Sequence, residues 1–197
     1  MTKGIDPCHF QDLLEMDPQD VCRRALCSYD SDTQGYTVAI WDADYGVYPR
    51  ESRVVHLNDG AEVTQTFLNL FIVHYLLTAQ ERPITKQWVS VKDIPGGAGF
   101  FRGPHAIPGD LIANRYKDDL KAFSDACERL NGTLMDMEDM AYSFRMAPRI
   151  PAAVLFWRED DEFPADAKLL FDDSIKDHLA LDIIFALAVE VCSRLAK

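Results

Sequence analysis

The stretch from Met140 to Trp157 restricts the fold of this chain more than any other part of the sequence. Apolar and polar side chains alternate over Met140–Met146, which is typical of a half-buried strand. Two prolines then turn the chain at Pro148 and Pro151. Ala152–Trp157 is continuously apolar, as expected of a strand covered on both faces. The two segments therefore predict a β-hairpin at the centre of an antiparallel sheet.

The remaining periodic segments predict an α+β fold. Short runs of β-branched and aromatic residues predict an antiparallel meander at Tyr36–Trp41, Val47–Tyr48 and Arg53–Leu57. Gln87–Lys92 and Lys168–Phe171 predict two more strands, the second at a sheet edge. Apolar residues spaced three and four apart predict the main helices near residues 61–80, 108–130 and 179–196. Strands and helices do not alternate strictly, so we expect one antiparallel sheet packed by three main helices in a single α+β domain.

The length and net charge of the chain limit its domain organisation and the kinds of partner that it can bind. A chain of 197 residues with 48% hydrophobic residues can bury a core without disulfides or a metal. We expect residues 1–197 to form a single domain, with residues 1–16 as a flexible N-terminal extension. The net charge of −12 disfavours nucleic acid and anionic membranes as partners. The apolar runs are too short to cross a bilayer.

The cysteines indicate a reducing compartment. Five cysteines are scattered along the chain, and the N-terminus has no apolar signal region, so we expect free thiols and a cytoplasmic location. Asp17 and Pro18 predict the start of a helix that runs to about Cys27. Cys22 and Cys27 would lie about 140° apart around that helix, so they would not bind one ion unless the helix breaks.

The segment from Asp93 to Asp110 is the strongest candidate for a functional site. It is the longest stretch without a regular pattern, and such segments in compact domains tend to be functional. Its glycines permit close backbone approach and an anion cradle, but neither a dinucleotide-binding fingerprint nor a phosphate loop is present. We predict a small-ligand or cofactor site beneath it, with Arg102 and His105 as polar contacts and Phe100 or Phe101 as a stacking lid. The predicted binding residues are Gly96, Gly97, Phe100, Phe101, Arg102 and His105.

Two alternatives to that site remain open. The segment is equally consistent with a crossover that packs its phenylalanines on the body of the protein. A run of acidic residues, Glu159–Glu162, follows the apolar strand, and with His105 it would make a metal-assisted enzyme in which Asp161 and Glu162 supply carboxylates. The acidic run has no calcium-loop spacing, however, so a solvated turn with Phe163 returning to the core is the favoured interpretation.

The chain also resembles an uncharacterised domain family of anaerobic bacteria and archaea. The resemblance is carried by Val91–Gly97 and Ile150–Trp157, the second continuing into Asp161–Asp172. Some relatives carry an iron–sulfur domain of the kind found in corrinoid proteins, and this chain has no clustered cysteines to form one. The resemblance implies an anaerobic setting and a tetrapyrrole or corrinoid as ligand, and it supplies no catalytic residues. A third hypothesis is a non-catalytic accessory protein that docks onto a redox or methyl-transfer protein through its acidic surface.

Overall fold

The computed structural model describes residues 5–197, and within them helices and strands form two antiparallel sheets and a set of packed helices. The helices are α1 (Pro7–Glu15), α2 (Pro18–Ala25), α3 (Thr66–Thr78), α4 (Gly97–Phe100), α5 (Asp110–Tyr116), α6 (Leu120–Arg129), α7 (Ile175–His178) and α8 (Leu181–Leu195). The strands are β1 (Ser28–Asp30), β2 (Gly35–Ile40), β3 (Ala43–Tyr48), β4 (Arg53–His56), β5 (Trp88–Ser90), β6 (Thr133–Met135), β7 (Met140–Ala147), β8 (Ile150–Trp157) and β9 (Asp166–Asp172). The predicted α+β class is confirmed.

The expectation of one sheet is wrong, because the meander and the hairpin lie in separate sheets. The first sheet has the order β1-β2-β3-β4 and the second β5-β9-β8-β7-β6. They meet where the backbone N–H of Trp41 donates to the carbonyl of Met146 at 3.0 Å. Trp41 has a left-handed backbone, with φ of 57°, in the short turn between β2 and β3.

Strand β9 is an inner strand over part of its length, which corrects its predicted place at the sheet edge. It pairs with β8 from Asp166 to Phe171. On its other side it pairs with β5 only from Leu170 to Asp172, because β5 has just three residues. The first half of β9 therefore has an edge that no strand within residues 5–197 covers.

Helices α3 and α8 pack together at the centre of the molecule. Phe71 and Tyr75 of α3 and Ile184 and Val191 of α8 are fully buried, as the nearly uniform apolar surface of both segments predicts. None of the described helices is long and apolar enough to cross a membrane.

The helix predicted near residues 108–130 is two helices, α5 and α6. Lys117 takes a left-handed φ of 51° after α5. Asp119 then caps α6, since its carboxylate accepts from the backbone N–H of Ala122 at 2.8 Å. The periodicity of three and four residues continues across this break, so it did not reveal the interruption.

Residues 7–15 form a packed helix where the sequence analysis expected a flexible extension. Asp6 caps α1 by accepting from the N–H of Cys8 at 3.0 Å, and Pro7 occupies the first helical position. Phe10 and Leu13 are buried against the core. The Asp-Pro signal that predicted α2 correctly is thus present here as well. The first four residues of the expected extension lie outside the described residues.

Candidate functional site

A groove of about 490 Å³ lies between the segment Asp93–Asp110 and the uncovered edge of the second sheet. Its walls come from Ser90–Lys92, Phe101, Ala106–Ile107 and Ala167–Leu170. We call it the edge groove. The segment beneath which the sequence predicted a ligand site forms one wall of the groove.

The floor of the edge groove includes the backbone of the open half of β9, which no described strand covers. The N–H of Asp173 donates to the carbonyl of Gln87 at 2.9 Å, so this residue directs its backbone groups toward β5. Alternate residues of a strand point to the same side, which places the N–H and carbonyl of Leu169 on that side, beyond the end of β5. No backbone hydrogen bond from the turns and loops of residues 5–197 reaches Leu169 there.

Two glycines fix the segment against the walls of the groove. A Cβ on Gly97 would lie 1.9 Å from the carbonyl oxygen of Val91, and a Cβ on Gly109 would lie 2.3 Å from that of Ala167. Both distances are far below van der Waals contact, so neither position accepts a side chain. The close approach predicted for the glycines is therefore an approach to the protein's own backbone. Gly96 contributes a left-handed turn, with φ of 81°.

The structure separates the predicted binding residues. Phe101 is buried and lines the groove. The other five do not line it, namely Gly96, Gly97, Phe100, Arg102 and His105. The ring of Phe100 stacks on that of His105, with centroids 4.5 Å apart. His105 also meets the ring of Phe185 in α8 at 5.4 Å. These rings form an aromatic cluster outside the groove.

Arg102 faces solvent. Its guanidinium makes no ion pair with any residue of the described part of the chain. Neither Arg102 nor His105 lines the groove, whereas Lys92 and Leu169 do. Sequence analysis missed both residues, because the end of β5 and the open half of β9 follow from strand pairing and have no local signal.

The acidic run after β8 is an exposed turn. The carboxylate of Asp160 accepts from the N–H groups of Glu162 and Phe163, both at 2.8 Å. These hydrogen bonds lower the pKa of Asp160. Phe163 is 67% exposed, so it does not return to the core.

Within residues 5–197 no three His, Cys, Asp or Glu side chains come together as a group that could hold a metal. His105 therefore makes no such group with Asp161 and Glu162.

Cys22 and Cys27 are neighbours, contrary to their expected separation around one helix. Helix α2 ends at Ala25, and Leu26 takes a left-handed φ of 52°. The reversal brings the two Sγ atoms to 3.9 Å. Burial raises the pKa of both thiols, so both are protonated at neutral pH.

Residues 17–194 match the family described as a domain of unknown function, DUF3786, and the chain belongs to that family. No curated protein and no solved structure matches the chain.

Proposed function

We propose that this member of the DUF3786 family binds a small, mainly apolar molecule with an acidic group in the edge groove. The proposal depends on one observation, the groove of about 490 Å³ beside the open half of β9. Small-molecule sites typically have volumes of roughly 300–1,000 Å³, mostly apolar walls and a few polar groups.

The chemistry of the groove supports this class of ligand. Phe101, Ile107 and Leu169 offer apolar surface for the body of the molecule. The backbone N–H of Leu169 and the ammonium group of Lys92 offer donors, which favour a carboxylate or a similar acceptor. The ligand would thus lie along the strand edge, with its acidic end toward Lys92.

The residues of the groove do not fit an iron- or cobalt-containing macrocycle held by an axial ligand. Such metals are bound by imidazole, thiolate or thioether groups, and none of the described residues that line the groove is His, Cys or Met. The corrinoid or tetrapyrrole setting stays a prediction from the family resemblance.

Calorimetric titration of the full chain with octanoate tests the proposal, since octanoate has an apolar body and one carboxylate. Ala106 is exposed and lines the groove, so Ala106→Trp fills the groove without disturbing the core. Ala98 is exposed on the same segment and does not line the groove, which makes Ala98→Trp the matched control. We expect octanoate to bind the wild type and Ala98→Trp, and to lose affinity by at least about tenfold in Ala106→Trp.

The same titration distinguishes the groove from the residues predicted by sequence. Arg102→Ala and His105→Ala should leave octanoate binding unchanged, because neither residue lines the groove. Absence of binding to the wild type, or equal binding to Ala106→Trp, would overturn the proposal.

A further inference from the structure

A second pocket, of about 410 Å³, lies between the first sheet and the C-terminal half of α8. Polar and apolar side chains from four regions converge on it. They include Tyr45 of β3, His56 of β4, Val63 just before α3, Leu68 in the first turn of α3, and Glu190 and Arg194 of α8. We call it the Glu190 pocket. It shares no lining residue with the edge groove.

The side chain of Glu190 is largely buried, and its carboxylate has no bonded partner among the described residues. Glu190 is only 9% exposed, and its carboxylate makes no hydrogen bond or ion pair with any group in residues 5–197. Burial raises the pKa of Glu190, and the positive charges of Arg194 and Lys197 offset part of that rise. A buried charge without a partner costs free energy, so the pocket contains an acceptor that the described chain leaves unused.

Arg194 would be the obvious partner, but it is held elsewhere. It lies four residues after Glu190 on the same face of α8, a spacing that normally allows an ion pair. Its Nη2 instead lies 3.0 Å from a carboxylate oxygen of Asp42, and its guanidinium carbon lies 4.9 Å from the ring centroid of Trp41. Its Nη1 is buried and has no acceptor among the described residues. Arg194, which lines the pocket, thus also has an unused donor.

The two groups together select a class of ligand. No three metal-binding side chains meet among the described residues, so the pocket does not suit a divalent cation. The lining carries both signs of charge, namely Asp59, Glu62 and Glu190 together with Arg194 and Lys197, so neither a simple anion nor a simple cation is favoured. A molecule with an ammonium group next to a carboxylate satisfies both, while Val63 and Leu68 offer apolar contact.

We propose that the Glu190 pocket binds a free α-amino acid with an apolar side chain. The ammonium group pairs with Glu190, the carboxylate accepts from Arg194, and the side chain packs on Val63 and Leu68. Asp42 and Trp41 hold the guanidinium in place before the ligand arrives, which reduces the entropy lost on binding.

Calorimetric titration of the full chain with leucine tests the inference. N-acetylleucine lacks the ammonium group and leucinamide lacks the carboxylate charge, so the three probes separate the two contacts. We expect leucine to bind, leucinamide to bind more weakly and N-acetylleucine not to bind. Glu190→Gln should weaken leucine binding by at least about tenfold, as loss of a charged hydrogen bond requires. Glu159→Gln removes the same charge from an exposed turn and should bind as the wild type does.

A stability measurement separates lost binding from lost folding. Without ligand, Glu190→Gln removes an unpaired buried charge, so its free energy of unfolding at pH 7 should equal or exceed that of the wild type. Ala61→Trp, at an exposed position of the pocket wall, should abolish leucine binding independently. No binding of leucine to the wild type, equal binding of N-acetylleucine, or unchanged affinity in both variants would each overturn the proposal.

Discussion

Asp172 shows at the scale of one residue how a buried charge is stabilised when its partners are present. It is 2% exposed. Its carboxylate accepts from the N–H and hydroxyl of Thr85 at 3.0 and 2.9 Å and from the N–H of Lys86 at 2.6 Å. Ser174 donates from its N–H at 3.1 Å and from its hydroxyl at 2.6 Å. These bonds hold the connection that leads into β5, the strand that borders the edge groove.

Asp172→Asn should destabilise the protein by about 2 kcal/mol at pH 7, because an amide turns one acceptor into a donor that faces other donors. Burial opposes ionisation of Asp172, but the bonds from Ser174 and Thr85 outweigh it and lower its pKa. A lowered pKa in the folded state stabilises the protein above the usual aspartate value of 3.8, and this contribution is lost as the pH falls through the folded pKa. Urea unfolding at several pH values measures the difference, which should shrink in acid.

Asp173→Asn is the matched control. Asp173 is the next residue and makes a partly exposed ion pair with Lys176 at 2.7 Å, so its loss should cost at most about 1 kcal/mol. Equal destabilisation by the two substitutions would contradict the role assigned to Asp172.

At the scale of elements, two arginines join the ends of helices α2 and α3 to the rest of the molecule. Arg149, in the turn between β7 and β8, donates from Nε to the carbonyl of Arg24 at 2.6 Å and from Nη2 to that of Arg23 at 3.3 Å. Arg24 in turn donates to the carbonyl of Ala79, just after α3, at 2.5 Å. Cations at the C-terminal ends of helices are favourable because the last carbonyls have no partner within the helix.

Arg149→Lys should lower the free energy of unfolding by about 1–2 kcal/mol, since an ammonium group cannot reproduce the planar arrangement of guanidinium donors. Amide hydrogen exchange should also accelerate in α2. Arg145 is exposed on β7, so Arg145→Lys should change stability by less than about 0.5 kcal/mol. Equal effects of the two substitutions, or unchanged exchange in α2, would show that Arg149 does not hold the helix end.

At the scale of the whole molecule, both sheets share one core. Buried residues of the first sheet, such as Val38 and Val47, belong to the same apolar cluster as Phe156 and Phe171 of the second. A separate, smaller cluster lies around Ala153 and Leu155, on the opposite face of the second sheet. The shared core connects the sheets although their strands do not pair.

A shared core predicts a single cooperative unfolding transition. Trp41 follows β2 of the first sheet, whereas Trp88 and Trp157 lie in the second. A variant with Trp88→Phe and Trp157→Phe reports on Trp41 alone, and Trp41→Phe reports on the second sheet. Within each variant, urea transitions followed by fluorescence and by far-ultraviolet circular dichroism should have the same midpoint. Separate midpoints would indicate that the sheets unfold independently.

The sequence by itself determined the local elements. The alternation in Met140–Met146 predicted β7, and the apolar surface of residues 61–80 predicted the central helix α3. Asp17 and Pro18 predicted the start of α2. These predictions succeeded because side-chain periodicity and capping depend on neighbours a few residues away.

The tertiary structure alone decided the features that depend on residues far apart in the sequence or on a single unusual backbone conformation. The division into two sheets, the open half of β9 and the approach of Cys22 to Cys27 each depend on long-range packing or on one left-handed residue. The same is true of Glu190, because Arg194, four residues later in the chain, forms its ion pair with the distant Asp42. The type and spacing of residues indicate which hydrogen bonds and ion pairs they can form. Competition among distant partners in the folded chain decides which polar groups are left without a partner.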